Sequence, residues 1–277
     1  MSYQLGQYNT LRIKKFVDFG AYLEADEEEI LLPLKYMPEN PQVDDMLEIF
    51  LYLDSEDRII ATNLKPKAVV DDLAGLTVVA IHEKLGVFAD WGLEKDLLIP
   101  FSEQNKKMFL GKTYLIKVLI DEQTNRIYGS NRLDKFLKPI ENQYIEGDKV
   151  PFIVWEFTDL GAKIIIDDQY SGLLFRNEIF RDMLIGDRMT GYVRKIRPDG
   201  KADVSLQMTG LENMQEGRDI ILEKLKANEG FLPLNDDSSP EIIKETLQMS
   251  KKTFKKAIGN LFREKIIKII PEGIKII

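Results

Sequence analysis

The sequence predicts a mainly β chain in which three tandem five-stranded barrels precede a C-terminal α/β module of three helices and a hairpin. Three observations carry that expectation. One order of five short β-rich runs, separated by turn residues, recurs three times before the C-terminal quarter. From Gln215 onward the hydrophobic period changes from strand-like to helical. The chain then closes on two short isoleucine-rich runs around Pro271-Glu272-Gly273.

The first copy occupies residues 1–68. Leu11 to Phe16 reads as a strand, Asp18-Phe19-Gly20 as a turn and Ala21 to Leu23 as a second strand. An acidic tip, Asp26 to Glu29, leads into Ile30-Leu31-Leu32-Pro33, and a turn at Asp54 to Asp57 separates Met46 to Leu53 from Arg58 to Leu64. The second copy, 72–138, repeats the order with Leu76 to His82, Leu85-Gly86-Val87-Phe88, Asp96 to Pro100, Tyr114 to Ile120 and Arg126 to Asn131. The third, 144–210, gives Val150 to Phe157, Leu160-Gly161-Ala162-Lys163, Ser171 to Phe175, Arg188 to Ile196 and Lys201 to Gln207. Five short strands with glycine at a strand-to-strand corner and a longer connection after the third suit a partly closed Greek-key barrel. Closure matters because an open meander of this size leaves unpaired edges and buries little apolar area. The register of Tyr114 to Ile120 stays open, its inward set starting from either Leu115 or Ile116.

The last module, 214–277, begins with a helix over Arg218 to Asn228 that puts Ile221, Leu222 and Leu225 on one face and ends at Asn228-Glu229-Gly230. Pro240 is placed to open a second helix. Ser250 is an N-cap for a third, Lys251 to Glu264, with Phe254, Ala257, Ile258 and Leu261 at core spacing. Ile266 to Ile270 and Ile274 to Ile277 complete a winged-helix arrangement with a hairpin wing.

Composition bounds the chemistry. Of 277 residues 44% are hydrophobic and 30% charged, an ordinary globular balance. Cysteine is absent, which removes disulfides, thiol nucleophiles and cysteine-bound zinc. The single histidine, His82, lies inside an apolar strand and has no second histidine with which to hold a metal. Neither a GxxxxGK[ST] loop, a GxGxxG turn nor a GxSxG elbow occurs, so a non-catalytic protein without cofactor or metal is expected. The N-terminal residues MSYQLGQYNTLRIKKF contain no apolar core of a signal peptide, and no stretch approaches the ~18 apolar residues of a membrane span, so a cytoplasmic location is expected.

The net charge is -8, which taken whole disfavours a polyanionic partner. Its distribution is uneven: residues 1–72 hold 15 acidic against 7 basic groups, whereas residues 218–277 hold 12 basic against 9 acidic. Lys251, Lys252, Lys255 and Lys256 fall on one side of the third helix, extended by Arg263, Lys265 and Lys268, and this is the helix that meets nucleic acid in helix-turn-helix proteins. The competing explanation is a solvated polar face. In the third barrel the basic candidates are Arg176, Arg194, Lys195 and Arg197.

The order strand, Phe-Gly-Ala-Tyr, tip, Ile-Leu-Leu-Pro, strand, Asp-rich turn, Arg-Ile-Ile-Ala-Thr-Asn resembles the S1 RNA-binding domain, an oligonucleotide-binding (OB) fold. Three such copies followed by a Lys-rich winged helix are similar to the conserved virulence factor B family of bacterial S1-domain proteins. That resemblance implies three S1-type OB barrels and an RNA-facing sheet surface bearing Phe19, Tyr22, Pro33 and Arg58 in the first barrel, Leu85, Phe88, Pro100 and Arg126 in the second, and Leu160, Lys163 and Phe175 in the third. Exposed rings would stack on unpaired bases while Lys and Arg follow the phosphates. The bland alternative makes Phe19, Tyr22 and Phe88 barrel core or inter-barrel packing. The implied role is a bacterial post-transcriptional regulator with single-stranded RNA as partner. Ribosomal or RNA-processing proteins are a second class of partner, and duplex DNA a less favoured one.

Overall fold

A computed structural model describes residues 3–26, 28–207 and 211–277, so Glu27 of the acidic tip and the predicted end of the third barrel at 208–210 lie outside the described residues. The first repeat folds as β1 (Tyr8–Val17), β2 (Gly20–Ala25), β3 (Glu28–Pro33), β4 (Met46–Leu53) and β5 (Ile59–Thr62). They close into a barrel in the order β1-β2-β3-β5-β4, sealed by a parallel contact that sets Leu31 beside Ile60. The second repeat supplies β6 (Leu73–His82), β7 (Gly86–Asp90), β8 (Leu97–Pro100), β9 (Thr113–Ile120) and β10 (Ile127–Ser130). Its sheet has the equivalent order but stays open between β8 and β10. Side chains fill that seam, since a Cβ on Gly129 of β10 would fall 2.8 Å from Ile99 and 3.1 Å from Leu97 on β8. The third repeat, β11 (Lys149–Thr158), β12 (Gly161–Ile166), β13 (Tyr170–Phe175), β14 (Arg188–Ile196) and β15 (Ala202–Ser205), closes like the first.

Two local devices recur in every copy. The first strand of each slips register by one residue, between Ile13 and Lys15, Val78 and Ala80, and Val154 and Glu156, which coils it around the barrel. Each second strand opens with a glycine at φ of +142° to +153°, namely Gly20, Gly86 and Gly161, where a Cβ would lie 2.1 to 2.2 Å from the carbonyl oxygen of Leu32, Ile99 or Leu174. No L side chain fits such a crossing.

Strand alternation builds the cores. Leu11, Ile13, Leu23, Ile30, Leu32, Ile49 and Leu51 fill the first barrel. Ile116 and Val118 point into the second, which settles the register of that strand in favour of the set starting at Ile116. The outer face of β4 is also buried: Phe50 meets Trp91 edge-on at 5.9 Å, and both join the second barrel's apolar cluster. Residues 1–136 accordingly form one compact unit and 137–277 another. Ile140 is buried in the third barrel's core and its amide bonds the Gly200 carbonyl, so residues 137–143 pack with the third barrel.

The C-terminal module comprises α1 (Leu211–Ala227), β16 (Phe231–Leu232), α2 (Pro240–Leu247), α3 (Lys251–Arg263), β17 (Ile267–Ile270) and β18 (Gly273–Ile276). Its sheet order is β16-β18-β17. Ser239 and Ser250 cap α2 and α3 by accepting the amides of Ile242 and Thr253. The structure corrects three details. α1 starts at Leu211 rather than Arg218, α3 ends at Arg263 with Glu264 as its C-cap, and the two-residue β16, too short to show a period, adds a third strand to the wing.

Candidate nucleic-acid interface

Register places the barrel candidates on equivalent outer positions. Two residues beyond each corner glycine stand Tyr22, Phe88 and Lys163, all half-buried and all on the outward face of the second strand. One residue before each corner glycine stand Phe19, Leu85 and Leu160, all exposed, at 57%, 48% and 66%. Pro33, Pro100 and Phe175 face the corner glycines across the sheet and end the third strands, half-buried.

On the first barrel Phe19 and Tyr22 meet edge-on at 6.4 Å, and the Lys15 ammonium sits 5.0 Å from the Tyr22 ring centroid. Lys15 and Lys14 both bind Glu29, whose carboxyl the Lys15 and Lys14 hydrogen bonds hold below the usual carboxylate range. Arg58 is exposed yet forked onto Asp54 and Glu56. Arg126 of the second barrel reaches Asp57 of the first, and its hydrogen bond lowers the Asp57 pKa. Phe88 lines a shallow groove of about 210 Å³ with Leu85, Trp91, Arg126 and Tyr128.

The third barrel's cations are mostly engaged as well. Lys163 lies 5.3 Å from the Trp155 ring and 3.8 Å from Glu156. Arg197 binds Asp203 and covers the Phe175 ring at 5.9 Å, and Arg194 approaches Glu178 to 3.8 Å. Exposed Arg176 and Lys195 have no carboxylate within ion-pair distance among the described residues. A cation already neutralised inside the chain gains less from a phosphate, so the barrels present fewer available charges than their composition suggests.

The winged helix differs in kind. Thr253, Phe254, Ala257, Ile258 and Leu261 turn inward, leaving Lys252, Lys255, Lys256, Phe262 and Arg263 exposed along the opposite side of α3. Lys251 is half-buried at the edge of this stripe, within electrostatic reach of Glu241. Lys265 sits in the turn after α3 at φ +58° and Lys268 is exposed on β17. None of Lys252, Lys255, Lys256, Arg263, Lys265 and Lys268 makes an ion pair among the described residues. Asn260 on the same helix accepts a hydrogen bond from Arg218, which also forks onto Glu264.

Several residues escape sequence inspection. Phe16, Ile81 and Phe157 are exposed at matching positions across from Ala21, Val87 and Ala162, so every barrel tip carries an apolar pair with Phe19, Leu85 or Leu160. Alternation marks them only once the register is known. Lys275 faces Lys268 directly across the wing, an arrangement that is destabilising for two like charges unless an anion comes between. His82 ends β6 in solvent, its Nδ1 accepting the Lys84 amide. Among the described residues no three His, Cys, Asp or Glu side chains cluster as a metal site, and no helix is long and apolar enough to cross a membrane.

Residues 5–64 match the S1 domain family and residues 219–276 the CvfB-like winged helix domain family. The chain is similar to uncharacterized protein YitL of Bacillus subtilis, 29% identical across 93% of this chain and 89% of that one. It is also similar to conserved virulence factor B of Staphylococcus aureus, 25% identical across 82% of this chain and 79% of the relative. A crystal structure of a multidomain protein with nucleic acid binding domains from Streptococcus pneumoniae aligns over 99% of this chain and 98% of that chain, at 25% identity and a TM-score of 0.44.

Proposed function

This chain is a relative of the conserved virulence factor B proteins, with an S1 domain and a CvfB-like winged helix domain, and on that premise we propose that it binds single-stranded RNA without catalysing a reaction on it. The observation that carries the reading is the contrast in charge pairing. Among the cationic barrel candidates Arg58, Arg126, Lys163, Arg194 and Arg197 lie against carboxylates, whereas Lys252, Lys255, Lys256, Lys268 and Lys275 stand in solvent with no acidic partner among the described residues. Lys268 and Lys275, held opposite one another, lose their mutual repulsion when a phosphate neutralises them. The exposed rings Phe16 and Phe19 on the first barrel and Phe157 on the third add sequence-tolerant stacking, which requires unpaired bases. The role we assign is that of a post-transcriptional regulator acting in the cytoplasm, through RNA contacts weighted toward the winged helix.

The test is a titration of single-stranded RNA, single-stranded DNA and duplex DNA at several salt concentrations. Wild-type protein should prefer single-stranded RNA, with affinity falling steeply as salt rises. Replacing Lys252, Lys255, Lys256, Lys268 and Lys275 by alanine should flatten the plot of log affinity against log salt by roughly 0.7 for each lysine that contacts a phosphate. Stronger competition by duplex DNA would favour a winged-helix DNA reader. A wild-type protein that binds no nucleic acid at low salt would end the proposal and favour a docking role for the apolar barrel tips, with ribosomal or RNA-processing proteins as partners.

A further inference from the structure

Helix α3 contains a glycine that nothing inside the chain requires. Gly259 lies in the helix interior, where glycine is less stable than alanine because its backbone loses more freedom on folding. A Cβ built there would meet no atom within 4 Å. Gly217, on α1, shows the opposite case: its Cβ would come 3.1 Å from Thr253 and 3.6 Å from Ala257, so close helix packing accounts for it. Gly259 faces away from that packing. Helical spacing puts it in the middle of the outer stripe, one turn from Lys255, Lys256, Phe262 and Arg263.

Phe262 is the second anomaly. The residue is 52% exposed on a helix whose core positions are filled by Phe254, Ile258 and Leu261. A large exposed apolar group among unpaired cations is unfavourable for the free protein and suits a ligand that is flat and apolar on its faces and anionic along its edge. An unpaired nucleotide has that chemistry. Paired bases in a duplex are stacked on one another and offer a protein only their edges.

The geometry points to a single-nucleotide step on α3, in which the base stacks on Phe262 and the sugar-phosphate lies against the bare backbone at Gly259, with Lys255, Lys256 and Arg263 around the phosphate. This rests on the proposed RNA-binding function and gives it a location. A side chain at 259 would hold the sugar-phosphate off the helix, which is why the position tolerates glycine's cost.

Two substitutions test it on the full chain. Gly259→Leu replaces a poor helix former with a good one, so the melting temperature of the protein should rise or hold while affinity for single-stranded RNA falls about ten-fold or more. Phe262→Leu keeps an apolar side chain but removes the ring, and should also lower that affinity about ten-fold. Phe262→Leu removes no phosphate contact and should leave the salt slope unchanged, whereas Gly259→Leu, by lifting the phosphate away from Lys255, Lys256 and Arg263, should also flatten it. Wild-type affinity in both variants overturns the step while leaving the broader RNA reading intact, provided the lysine variants still lose binding. Loss of duplex and single-stranded binding in equal measure by Gly259→Leu, with Phe262→Leu silent, would also overturn it by showing groove insertion of the helix. A wild-type protein that fails to bind RNA removes the broader reading, and the step with it.

Discussion

Single residues fix the corners on which the candidate faces depend. Gly161 holds φ at +144°, with the site of a Cβ 2.1 Å from the Leu174 carbonyl oxygen, and its amide strand sets Lys163 and Phe175 on their faces. Gly161→Ala should lower stability by more than about 1 kcal/mol, since a left-handed backbone alone costs that much before the clash is counted. A denaturant titration with an unchanged midpoint would show that the corner relaxes freely. This glycine was legible in the sequence as a turn between two strands. The exposure of its neighbour Leu160, and of Phe157 across the hairpin, was not, because the outward face of a strand is known only once its register is known.

At the scale of elements, α3 is specified by its ends. Ser250 accepts the Thr253 amide at 3.0 Å and its hydroxyl also shares a hydrogen bond with the Thr253 hydroxyl, which in turn donates to Gln207 at the end of the third barrel. Ser250→Ala should cost about 1 kcal/mol through the lost cap, visible as earlier melting of the helical circular-dichroism signal. An unaltered melt would mean that packing alone holds the first turn. Capping serine, apolar period and lysine cluster were all readable in advance. The partial burial of Lys251 and the capture of Asn260 by Arg218 were not, since both depend on which neighbouring helix lies alongside. The two-residue β16 has no period and exists only because β18 offers it a partner.

For residues 1–136 as a whole, the first two barrels are joined by the Phe50 and Trp91 contact and by charges at its margin. Asp57 binds Arg126 and Lys95, and Glu94 binds Lys35, contacts that hold both carboxyls below their ordinary values. A depressed folded pKa contributes stability that is fully present above the unfolded value, near 4 for these groups, and that disappears as pH falls through the folded value. The melting temperature of this unit should therefore drop as the medium is acidified below about pH 4. Asp57→Asn should melt slightly earlier at neutral pH and show a shallower acid decline. An acid profile identical to wild type would remove Asp57 from the interface energetics.

The sequence by itself determined the three five-strand repeats, the winged helix after them and the identity of most cationic candidates, because hydrophobic period, turn glycines and capping serines are local properties written in consecutive residues. Tertiary structure alone decided which cations are available. Arg126, Lys163, Arg194 and Arg197 approach carboxylates brought near by folding, from other strands or another barrel, whereas Lys252, Lys255 and Lys256 remain without such partners among the described residues. Charge pairing depends on which strands and turns folding sets side by side, so composition can locate basic groups but cannot tell which of them are already neutralised.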